Sequence, residues 1–215
     1  MTSLLAWHGT RADGTTRHLK VKELVGVKTL LAGDVELCKN ALHGSLRAVD
    51  MLRYSEGLWI KRTLHEGKIL LAADKFGSSE RTVVAEADAT QVVVDWAFWC
   101  ADRAVRVHAV TALRRAGMNT AGEKLAGLEA ITDKKSADTA SDALNTATNT
   151  ATFTAAFTAY TAHAAACAAH AAVHAAAVYA AAAAANEADE MEFLNAELER
   201  RLLALMGLTE TEVTQ

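Results

Sequence analysis

Leu58-Trp59-Ile60-Lys61-Arg62-Thr63-Leu64-His65-Glu66-Gly67-Lys68-Ile69-Leu70-Leu71 decides the fold class of this chain. Its apolar runs flank Glu66-Gly67, a pattern that predicts a β-hairpin turning at the glycine. Further short apolar runs lie on either side, at Leu4–Trp7, Val35–Leu37 and Thr82–Ala87. Turn signals at Ala12-Asp13-Gly14, Ala32-Gly33-Asp34 and Gly77-Ser78 separate many of them. Between these runs, Leu46, Val49 and Leu52 share a helical face, and Ser45 is placed to cap a short helix reaching Tyr54. Residues 1–90 are therefore expected to form a small mixed α/β module.

From Thr90 the period lengthens. Val94, Phe98, Ala101, Val105 and Ala112 fall on one face of a helix that should stop at Gly117. Thr120 and Glu123 then fit a capping box for a shorter helix to Ile131. The expected organisation is an α/β module at 1–90, a helical extension at 91–133, a polar hinge at 134–142, an alanine-rich helical assembly segment at 143–207 and a tail at 208–215. The fold class is α+β, with a long alanine-rich C-terminal helix or helical bundle.

Residues 143–186 carry no charged side chain and are rich in alanine. Alanine favours helix but buries little apolar area, so such a helix needs close neighbours. Its larger residues form one seam: Phe153, Phe157, Tyr160, His163, Cys167, His170, His174 and Val178 recur three or four positions apart. Ligands spread over three turns of one helix cannot converge on one metal ion. Only His170 with His174, or His163 with Cys167, could pair, with a partner element completing the shell, so the seam reads as packing surface rather than as a metal site. A pH-sensitive interface is the softer functional reading of its histidines. The small-residue back of the helix suits close helix packing, and self-association covers the seam most economically. Leu144 is the only Leu or Ile in the tract, and no Lys or Arg cluster borders it, which argues against a membrane span.

The chain has 215 residues and a net charge of −4, with acids and bases mixed. No basic stripe suggests nucleic-acid binding. Three scattered cysteines argue against a disulfide framework, and the N-terminus has no signal-peptide pattern.

Trp7-His8, the element from Cys38 to Ser45, the turn from Tyr54 to Gly57, Asp74-Lys75 and Asp88-Ala89-Thr90 occur in that order. In this order they resemble an uncharacterised family of phage and prophage proteins, whose members also carry alanine-rich repeats after the domain. Ala41 and Ser55 depart from the family's usual Gly and Ala. The resemblance implies a bacteriophage virion or accessory protein, located in the host cytoplasm or the virion. Its expected partners are other copies of itself or other phage proteins, and it needs no cofactor.

A second, more remote likeness is to the ADP-ribosyltransferase-like fold. His8-Gly9-Thr10 is similar to the first-strand element of that fold, and Leu42-His43-Gly44-Ser45 leading to Tyr54 is similar to the second. Glu80 before Thr82-Val83-Val84 is similar to the third. The likeness implies NAD as cofactor, His8 on ribose hydroxyls, His43 stacked on nicotinamide, and Glu80 stabilising an oxocarbenium-like transition state. Two expectations follow: a structural or accessory protein that assembles through its alanine-rich helix, and, as the alternative, an NAD-binding enzyme or its catalytically silent relative.

Overall fold

The computed structural model describes residues 3–17, 20–115, 117–149 and 188–209. The fold is α+β, as expected. The chain divides into two compact units, one of Met1–Val92 with Asn195–Gln215 and one of Val93–Leu194. The whole seam from Phe153 to Val178 lies outside the described residues.

In the first unit, five antiparallel strands form one sheet: β1 Leu4–Thr10, β2 Lys28–Leu30, β3 Leu42–Gly44, β4 Trp59–Leu71 and β5 Phe76–Asp88. β4 and β5 are its spine. β1 pairs with the outer side of β4, while the other edge of β5 is shared end to end by β3 and β2. Trp7 and Ser45 exchange both backbone hydrogen bonds, at 2.8 and 3.0 Å. The sheet therefore curls until the residue after β3 meets β1.

The hairpin expected at Glu66-Gly67 is instead a bulge. Glu66 pairs with Glu80 and Ile69 with Ser78, so β4 gains one residue on β5 there, and Gly67 takes φ +73°. The true reversal lies further on, where the Ala72 N–H donates to the Lys75 carbonyl at 2.8 Å. A glycine at positive φ serves a bulge as well as a hairpin, which is why the local signal misplaced the turn.

Helix α1, Ala48–Leu52, starts three residues after its expected cap, because Ser45 is committed to the bridge with Trp7. Its free amides are met from far along the chain. Glu199 Oε1 accepts from the Ala48 N–H at 3.0 Å and from Trp7 Nε1 at 3.1 Å. Asn195 Oδ1 accepts from the Val49 N–H at 3.2 Å. Both lie on the last helix, Ala188–Met206. The segment 143–207, expected to serve assembly as a whole, thus supplies part of the first unit.

The second unit is helical. α2, Thr90–Arg103, runs through a π-helical stretch, Ala104–Ala109, into α3, Val110–Arg115, and Gly117 follows at φ +75°. α4, Asn119–Ala126, begins before Thr120 and has no side-chain cap, so the expected capping box does not form. The polar stretch expected to be a hinge is the start of α5, Lys134–Asn149. Asp133 caps it, with Oδ1 accepting from the Ser136 N–H at 2.8 Å. Phe98, Val105, Val110, Leu113, Leu125 and Ile131 form the apolar core of this unit. The last helix, Ala188–Met206, is α6; among the described residues, no helix is long and apolar enough to cross a membrane.

Candidate functional site

The curl of the sheet leaves a cavity of about 330 Å³ in the first unit. β1 contributes Trp7, His8 and Gly9 to its wall, and the β3 stretch contributes Leu42, His43, Gly44 and Ser45. Tyr54 follows α1, Lys75 ends the β4–β5 turn and Arg81 comes from β5. Cys38, Thr16 and Arg17 complete the polar lining. Every motif quoted for the phage resemblance except Asp88-Ala89-Thr90 reaches this cavity. Asp88 instead starts α2, its Oδ1 accepting from the Thr90 N–H at 3.0 Å.

Polar groups buried beneath the cavity hold its wall. Arg81 is sealed from solvent, and its Nε and Nη2 donate to Glu23 Oε1 at 3.1 and 2.7 Å. Its Nη1 donates to the His43 carbonyl at 2.8 Å, which ties β5 to β3. Lys61 is fully buried, with Nζ 3.0 Å from Glu86 Oε2 and donating to the Glu23 carbonyl at 2.8 Å. His65, also fully buried, lies 2.8 Å from Ser78 Oγ and 3.0 Å from Thr63 Oγ1 through its two ring nitrogens. A Cβ on Gly44 would stand 2.8 Å from His65 Nε2, so only glycine lets β3 close over this histidine.

The two histidines expected at the site share the cavity. His8 is partly open to it by area, while its Nε2 is sealed and has no hydrogen-bond partner. Burial, and then the charge of Arg81, push its pKa well below the usual imidazole value. His65 is pushed the same way by the same two causes. Both rings are neutral near pH 7. His43 is held from two sides: its carbonyl accepts from Arg81, and its Nε2 accepts from the Cys38 N–H at 3.1 Å. That nitrogen therefore carries no proton. Cys38 makes this bond from the left-handed region, at φ 66°, a conformation that costs a non-glycine residue about 1–2 kcal/mol.

Glu80 does not join them. Successive strand residues face opposite sides, and with Arg81 on the cavity wall Glu80 points away. Its carboxylate is 2.9 Å from Lys28 Nζ, and Lys28 also pairs with Glu66 at 2.8 Å. Glu66 and Glu80 together push the Lys28 ammonium pKa up to about 12. Among the described residues, the cavity wall carries no carboxylate.

Sequence reasoning passed over Arg81, Thr16 and Glu23. Ser78-Ser79-Glu80-Arg81 reads locally as a solvated loop, yet it lies within β5, where a period of two would have set Arg81 against Glu80. Thr16 is buried, and its Oγ1 has no partner. Cys38 is an exposed free thiol. Among the described residues no group of three His, Cys, Asp or Glu side chains could hold a metal ion. No family model, curated protein or solved structure matches this chain.

Proposed function

We propose that the first unit is a binding module for a small nucleotide-type ligand, NAD or a fragment of it, in an ADP-ribosyltransferase-like arrangement without the catalytic carboxylate. The supporting observation is the convergence of His8, His43 and Tyr54 on one cavity from which Glu80 is turned away. His43, fixed by Cys38 and Arg81, offers a rigid planar ring for stacking on a nicotinamide. His8 Nε2 and Thr16 Oγ1 are buried polar atoms without partners, and such atoms at a cavity wall favour a ligand that supplies hydroxyl or amide groups. A volume of about 330 Å³ lies at the lower end for small-molecule sites and suits a nucleoside-sized portion.

Transfer chemistry needs an anionic group beside the developing oxocarbenium ion. Glu80 is bound to Lys28 instead, so the module holds its ligand without cleaving it. Calorimetric titration of the full chain with NAD, followed by assay for released nicotinamide, tests both parts. The expected result is saturable binding that His43→Ala abolishes, with NAD recovered intact. No binding overturns the reading, and nicotinamide release that Glu80→Ala abolishes restores the enzyme.

Self-association through the alanine-rich segment, as in a phage structural or accessory protein, is a separate proposal carried by composition alone. Light scattering of the full chain against Phe157→Asp tests it. Oligomers that dissociate in the variant support it, and monomers throughout overturn it.

A further inference from the structure

We propose that the outer wall of the cavity is an anion subsite, in which Lys75 and Arg17 hold the phosphate groups of the ligand. This deepens the nucleotide reading of the same cavity and rests on it for the remainder of the ligand.

Among the described residues, the lining carries Arg17, Lys75 and Arg81 and no carboxylate, in a chain whose net charge is −4. The three cations differ in what they already hold. Arg81 is neutralised by buried Glu23 at 2.7 Å and serves the wall itself. Arg17 lies 2.9 Å from Glu56, but Glu56 is also 2.6 Å from Arg11, so two guanidinium groups share that carboxylate. Lys75 makes no ion pair among the described residues. Its Nζ stands 4.2 Å from the centre of the Tyr54 ring. Asp74 beside it is engaged by Tyr54 Oη at 2.5 Å and by Arg53 Nη1 at 2.8 Å. The hydrogen bond from Tyr54, and then the charge of Arg53, hold the Asp74 carboxyl pKa below its usual range. The carboxylate nearest in sequence to Lys75 is thus already satisfied, and positive charge remains at the cavity.

Unneutralised positive charge around a concave, partly desolvated surface draws an anion. Arg17 offers a planar fork to phosphate oxygens, and Lys75 a point charge on a flexible stem. Buried Thr16 on the same wall, with its hydroxyl unpartnered, supplies an uncharged donor. A phosphate monoester or pyrophosphate meets all three groups. A neutral nucleoside would leave the charges without counterparts.

Calorimetry on the full chain separates this subsite from the nucleotide reading by using two probes. Inorganic pyrophosphate reports the anion subsite and uncharged nicotinamide reports the His43 end. Pyrophosphate should bind, weakening as salt is raised, and Lys75→Ala and Arg17→Ala should each weaken it roughly tenfold. Nicotinamide binding should be unaffected by Lys75→Ala and lost in His43→Ala. Both charge variants alter surface side chains, and an unchanged melting temperature checks their folding. If nicotinamide binds and pyrophosphate does not, the anion subsite is overturned and the nucleotide reading stands. If pyrophosphate binds through Lys75 and nicotinamide does not bind, the subsite stands and the nucleotide reading falls. Pyrophosphate binding that ignores both charge variants overturns the subsite, and failure of both probes overturns both proposals.

Discussion

Lys61, Thr63, His65, Ser78 and Arg81 are buried in the first unit, whereas the core of the second is built from Phe98, Val105, Val110, Leu113, Leu125 and Ile131. Both units bury apolar side chains, but the first also buries cations together with the polar groups that hold them. Burying an apolar side chain is favourable wherever it fits, and the helices of the second unit need only the right period. A buried cation is tolerated only when its partners are in place, so the first unit depends on Glu23, Glu86, Ser78 and the His43 carbonyl being correctly positioned. The same demanding network holds the cavity wall rigid. The difference teaches that polar interior groups mark the region to search for a site.

Substitutions break this comparison most strongly at Arg81. Arg81→Leu strands Glu23 in the interior and should cost about 3–5 kcal/mol in urea unfolding. The double replacement Glu23→Leu with Arg81→Leu should recover most of that loss. In the second unit, Leu113→Ala removes packing alone and should cost about 2–5 kcal/mol, with no partner replacement able to rescue it. If Arg81→Leu behaves like Leu113→Ala, with no rescue by the double variant, the contrast between the interiors fails.

Acid should act on the first unit through its histidines. His8 and His65 stay neutral in the fold because burial lowers their pKa, while the unfolded chain protonates them below about pH 6.5. Their contribution is complete above that pH and is lost as pH falls below it, at up to about 1.4 kcal/mol per unit for each histidine. Urea midpoints measured from pH 7.5 to 5 should show this decline. His65→Gln should flatten it by about half, and a profile that is flat in the parent chain contradicts the buried neutral state.

Smaller effects sharpen the contrast. Glu199→Ala removes the acceptor shared by Trp7 and the Ala48 amide and should lower stability by about 1–2 kcal/mol. Glu80→Ala breaks only a partly exposed ion pair, and its expected loss is under about 1 kcal/mol. It should leave ligand binding unchanged, whereas weakened binding in Glu80→Ala would return that carboxylate to the site.

The contrast also explains what was legible in the sequence. Helix α2 and the stop at Gly117 were readable because apolar period and terminal glycine are local signals. His8 and His43 stood out because each sits in a short His-Gly motif, and the fold places both on one cavity wall. Arg81 was not, since its role depends on Glu23, far away in sequence, and on a strand that looks locally like a loop. The capping of α1 by Asn195 and Glu199 was equally hidden. Ser45 offered the expected local cap, but its backbone is used by Trp7 instead, and no local pattern announces a cap from so distant a helix.

The binding proposal requires that the cavity framed by the polar interior of the first unit takes up a ligand. Assigned histidine-ring NMR signals of the full chain, followed during titration with nicotinamide mononucleotide, test it most directly. His8 and His43 should shift and saturate together, while His108 in the second unit should not move. No change at His8 and His43, or movement confined to His108, would contradict the account.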